Sequence, residues 1–101
     1  MFTITNDEQQ ILNELGRRLK ALRIEKNEHQ AVFAALVGIS VPTYRKMERG
    51  DTTVPIGYWI RASRLLDRLE DFQTWLQPKP SLVMQYECET KSTTRRRVRR
   101  T

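Results

Sequence analysis

Arg45, Lys46 and Arg49 lie in one stretch shortly after the triplet Gly38-Ile39-Ser40. Cations grouped on a short segment suit a polyanion: they pair with phosphates and, inside a groove, can reach base edges. Val41, Pro42 and Thr43 precede them. Against a DNA duplex, Val41-Pro42 would offer only apolar contact with a thymine methyl and no hydrogen bond to a base, and any sequence reading would fall to Arg45, Lys46 and the shape of the duplex. A second group of cations, Arg95, Arg96, Arg97, Arg99 and Arg100, closes the chain. The 101 residues hold 18 Lys and Arg against 12 Asp and Glu, a net charge of +6; without those five arginines the balance is 13 against 12. The body is therefore nearly neutral and the tail strongly basic. Such a tail is most simply a solvated arm; beside a nucleic-acid-binding body it can also grip phosphates or dock on an acidic partner.

Catalytic chemistry finds little support. The sequence has no Gly-x-x-x-x-Gly-Lys phosphate loop and no HExxH zinc motif. Cys88 is the single cysteine, so an internal disulfide or a cysteine zinc cluster is excluded. His29 is the single histidine and reads as a helix cap. Asp67, Glu70 and Asp71 form an acidic group that Arg64 and Arg68 balance on the same face. No catalytic residue, metal site or cofactor is expected. Apolar runs are too short to span a membrane, and the first residues lack the basic and apolar regions of a secretory signal.

The elements that must position these residues read as helices. Thr5 and Glu8 have capping-box spacing, and Ile11, Leu15, Leu19 and Leu22 recur as an apolar stripe on one long helix that Asn27 ends. Glu14 and Arg18 pair on its wet side. A second helix runs from Gln30 to Val37, with Phe33, Ala34 and Val37 inward and Gly38 closing it. Val32 and Leu36, one turn apart, either pack under the C-terminal segment or form an exposed partner patch. Ser40 caps a third helix with Pro42 in its first turn, Tyr44 and Met47 inward, and Gly50 as its stop. Two helices joined by such a turn place the first turn of the second where it can enter a major groove. From Pro55 to Leu76 the apolar pattern is dense enough for two further helices, with a break placed near Arg64. Trp59, Phe72 and Trp75 suit a core; Phe72, Trp75 and Leu76, just before Pro78, also suit a dimer surface. Leu82, Met84, Tyr86 and Cys88 alternate as in a short strand.

The stretch Leu15 to Arg23, with Gln30-Ala31, Phe33-Ala34-Ala35, Gly38-Ile39-Ser40 and Met47-Glu48-Arg49-Gly50, resembles the Xre/Cro/C1 repressor family across roughly residues 12–76. Residues 50–59, followed by Leu65 to Leu69, most resemble HipB-type antitoxins, the small repressors encoded beside HipA-like kinase toxins. The resemblance implies an all-α, five-helix lambda-repressor-like domain working as a homodimer on a palindromic double-stranded DNA operator. Carried over by position, Val41, Pro42, Thr43, Arg45 and Lys46 would face bases and nearby phosphates, and Gln30 and Thr53 would meet the phosphate backbone. Arg49 and Arg17 are further candidates for phosphate contact, with Arg17, like Arg18, equally suited to a solvated helix face. Arg23 and Glu48 would form an internal salt bridge. This chain departs from the family pattern at Glu28-His29, where a capping Ser or Thr is usual, and at Ser63-Arg64, where Gly is usual.

The expected layout is a helix-turn-helix DNA-binding and dimerisation domain over 1–77, a linker over 78–90 with room for a short strand, and a basic arm over 91–101. The expected biology is a cytoplasmic, nucleoid-associated repressor, the antitoxin of a HipA-like kinase operon, with a third operon protein as a further partner. A stand-alone or phage-type repressor, or an antitoxin acting mainly by capping its toxin, stay open as alternatives.

Overall fold

The computed structural model describes residues 2–79. The expected strand at 82–88 and the arm at 91–101 lie outside them. The described residues form five helices and no strand: α1 (Asn6–Glu25), α2 (Gln30–Val37), α3 (Val41–Arg49), α4 (Ile56–Leu65) and α5 (Glu70–Gln73). The all-α expectation holds. None of these helices is long and apolar enough to cross a membrane.

Side-chain caps set the starts of α1 and α3. Thr5 and Glu8 complete a reciprocal capping box on α1, the Thr5 N–H donating to Glu8 Oε1 at 3.0 Å and the Glu8 N–H to Thr5 Oγ1 at 3.3 Å. Ser40 Oγ accepts from the Thr43 N–H at the start of α3. His29 stands at the N-cap of α2 without a side-chain hydrogen bond.

The ends share one geometry. At each of the first four helices a left-handed residue lets the next N–H reach back five residues: Glu28 to the Arg23 carbonyl, Ile39 to Ala34, Asp51 to Lys46 and Arg68 to Ser63. The left-handed residues are Asn27, Gly38, Gly50 and Asp67. This is the Schellman closure, which satisfies the last carbonyls of a helix. It places the break after α4 at Leu66–Leu69, not near Arg64, because Asp67 takes the conformation usually left to glycine.

Packing centres on Tyr44, Phe33 and Met47, all fully buried, with Leu19, Ala34, Val37, Ala62 and Leu66 around them. The Phe33 and Tyr44 rings meet edge-on at 5.5 Å and join α2 to α3. α1 lies against α3, and Gly16 makes that approach possible. A Cβ there would stand 2.7 Å from the Glu48 carbonyl carbon and 2.9 Å from the Met47 carbonyl oxygen. Gln9 Nε2 ties the same helix to the end of α3, donating to the Gly50 carbonyl at 2.8 Å and to Asn13 Oδ1 at 2.9 Å.

The apolar stripe of α1 divides. Leu19 is buried and Leu22 half-buried, but Ile11 is 61% exposed and Leu15 38%. These outer residues line one side of an apolar groove of about 790 Å³, faced by Ile56, Trp59, Phe72 and Trp75. Trp75 and Leu76 are exposed, and Phe72 meets Trp75 edge-on at 5.5 Å.

Candidate nucleic-acid interface

The sequence of α3 separates its faces. Tyr44 and Met47 are sunk in the core, so Pro42, Arg45, Lys46 and Arg49 are carried to the exposed side. Val41 and Thr43 are half-buried. Val41 packs against the core, so the outward reading of this residue holds for only part of its side chain. Thr43 Oγ1 accepts from the Ser40 hydroxyl at 3.0 Å. The N-terminal turn of α3 is thus tightly capped, and its exposed face is cationic.

Behind this face stands a buried ion pair. Arg23 Nε donates to Glu48 Oε2 at 2.8 Å, with side chains 8% and 6% exposed. Arg23 Nη1 also donates to the Glu28 carbonyl at 2.7 Å, fixing the loop between α1 and α2. Burial raises the Glu48 carboxyl, but hydrogen bonds from Arg23 and Gln30 outweigh it and hold the group below its ordinary value. Burial pushes the nearby Tyr44 phenol well up, and its hydroxyl completes no hydrogen bond of good geometry.

Gln30, at the start of α2, uses both ends of its amide. Nε2 donates to Glu48 Oε1 at 3.0 Å, and Oε1 accepts from Arg45 Nε at 3.3 Å. Arg17 is exposed on α1 and shares Glu14 with Arg18, an arrangement that lowers the Glu14 carboxyl chiefly through the hydrogen bond from Arg17. In the α3–α4 loop the Thr53 N–H donates to Asp51 Oδ1 at 2.7 Å, and its hydroxyl bonds the same oxygen. These bonds from Thr53 hold the Asp51 carboxyl below its ordinary value.

The structure therefore brings Gln30, Arg45 and Glu48 into one network and leaves Lys46 and Arg49 exposed beside it. Arg17 and Thr53 belong to other elements, α1 and the α3–α4 loop. Sequence reasoning missed Gly16, the Gln9–Asn13–Gly50 tie and the link between Lys26 Nζ and Asp67 Oδ2 at 3.0 Å. The Gln9–Asn13 spacing of one helical turn was the available signal for the tie. The other two depend on residues far apart in the chain. Among the described residues no group of His, Cys, Asp and Glu is arranged to hold a metal ion.

A short capped helix with a cationic outer face, braced at a turn against a second helix, defines a DNA-binding module. A family model described as a helix-turn-helix domain matches residues 14–71, and the chain belongs to that family. No curated protein and no solved structure matches the chain.

Proposed function

We propose that this protein is a dimeric, non-enzymatic transcriptional repressor of the Xre type. In this reading α3 enters the major groove of a palindromic operator, with Arg45, Lys46, Thr43, Pro42 and the exposed part of Val41 facing bases. Arg49, Arg17, Thr53 and the free amide hydrogen of Gln30 meet phosphates, and no cofactor or metal takes part. The observation that carries the reading is the division of α3: Tyr44 and Met47 fully buried, Arg45, Lys46 and Arg49 exposed behind a serine cap. The helix-turn-helix family match supports it.

The biological setting follows from the resemblance of residues 50–59 and 65–69 to HipB-type antitoxins. The repressor acts on its own promoter in the cytoplasm, as the DNA-binding antitoxin of a HipA-like kinase, with a third operon protein as a further partner. Phe72 and Trp75, which line the apolar groove, supply the homodimer surface together with the exposed Leu76. Arg95, Arg96, Arg97, Arg99 and Arg100 form an arm that adds phosphate contacts or docks on an acidic partner.

Gel shifts with the DNA upstream of the gene, against random duplex of equal length, test the repressor. Specific retardation that survives competitor DNA is expected; equal retardation of both duplexes defeats the operator reading. Co-purification with a kinase encoded next to the gene tests the antitoxin role. A stand-alone repressor is the outcome if no kinase is encoded there and the promoter is still bound.

A further inference from the structure

Four residues form a hydrogen-bonded chain from the protein interior to the exposed face of α3: Arg23, Glu48, Gln30 and Arg45. Each link constrains the next. A carboxylate only accepts hydrogen bonds, and Glu48 spends one oxygen on Arg23 and the other on Gln30. Gln30 must therefore turn its NH₂ inward, which leaves its carbonyl oxygen facing out as an acceptor. Arg45 donates its Nε–H to that oxygen at 3.3 Å. The four N–H groups on Nη1 and Nη2 take no part in that bond, which narrows the positions open to the guanidinium.

We propose that Gln30 and Glu48 are positioning residues for DNA sequence reading: the buried Arg23–Glu48 pair orients the Gln30 amide, and that amide holds the Arg45 guanidinium ready for a base edge. The inference rests on the proposed DNA-reading role of α3 and adds a mechanism to it. A free arginine side chain loses rotamer freedom when it binds a base bidentately. Here part of that ordering precedes binding. The target chemistry is a guanine edge, whose O6 and N7 accept two parallel N–H groups.

The test begins with a duplex selected from a randomised pool by the wild-type full chain, compared with random duplex. Gln30→Met keeps length and removes both amide bonds. The expected result is a fall of about fivefold or more in the ratio of selected to random affinity. In the Arg45→Ala background the same change should leave the ratio where it is, since the group being positioned is gone. Glu48→Gln gives a second reading. The new amide must present its oxygen to Arg23 and its NH₂ to Gln30, so Gln30 turns over and offers donors to Arg45. The same loss of ratio is expected from a change that preserves shape.

NMR relaxation of the Arg45 Nε–H in the free protein supplies a readout that simple loosening of the fold does not imitate. Its order should drop in Gln30→Met while the Arg23 Nε–H stays rigid. An unchanged ratio in Gln30→Met, or an equally mobile Arg45 Nε–H in wild type and variant, overturns the proposal while leaving the DNA-reading role intact. A wild-type chain that enriches no sequence overturns both.

Discussion

Arg45 and Lys46 are exposed on one helix, yet their fates in a binding assay should differ from those of tail arginines. A side chain that reaches a base edge contributes discrimination of ~1–3 kcal/mol. Arg45→Ala and Lys46→Ala are each expected to weaken operator binding by that amount and random DNA by less. Gel shifts on the two duplexes measure it, and equal losses would assign the residue to phosphates. Arg23 is charged but belongs to the interior, with its partner Glu48. Arg23→Ala strands the carboxylate and should cost ~3–5 kcal/mol in a thermal or denaturant melt. An unchanged midpoint would contradict the buried pairing. The same pair sets an acid limit. The hydrogen bond from Arg23 holds the Glu48 carboxyl below its ordinary value in the folded chain despite burial, so the unfolded chain holds its proton more tightly. Its stabilising contribution is complete above the unfolded value and shrinks as pH falls through the folded one. Wild type should therefore lose stability below about pH 4.5 more steeply than Glu48→Gln, in melts taken across the acid range.

The first three helices were legible in the sequence because their punctuation is local. Thr5 with Glu8, Ser40 with Pro42, and Gly38 and Gly50 each act within a few residues, and the inward set Phe33, Ala34, Val37, Tyr44 and Met47 follows from spacing. The cationic face of α3 was legible for the same reason. The α4–α5 break was not, because Asp67 closes α4 in a left-handed conformation without the glycine that usually announces it. Nor was the exposure of Ile11 and Leu15, since periodicity identifies an apolar face but not what covers it. The Gln30–Arg45 contact depends on the angle between two helices, which no local pattern contains. The helix ends carry their own test. Asp67→Gly loses an exposed pair with Lys26 worth little, and relieves left-handed strain. It should hold stability or raise it by up to ~1 kcal/mol, whereas Asp67→Val should lower it by ~1–2 kcal/mol. Chemical denaturation of both variants decides, and equal midpoints would mean that the Schellman closure does not constrain α4.

For the molecule as a whole, the proposed homodimer and the basic arm predict separable effects of symmetry and charge. Two α3 helices related by a two-fold axis suit half-sites about 34 Å apart. Phe72→Glu with Trp75→Glu should yield monomers that lose the operator, seen by sedimentation and gel shift together. Deleting residues 91–101 should instead flatten the salt dependence, each lost phosphate contact removing a slope of about −0.9, and weaken operator and random DNA alike. An unchanged slope would leave an acidic protein surface as the partner of the arm. The short α5 buries none of its residues within one chain. Its backbone amides then have little to shield them from solvent, so in dilute protein they should exchange for deuterium within the first time points, while those of α1 and α3 persist together as one slow unit. If Phe72 and its neighbours are ordered by a second copy, their protection becomes a function of protein concentration: the amides from 70 to 75 should slow as the sample is concentrated, and those of α3 should not.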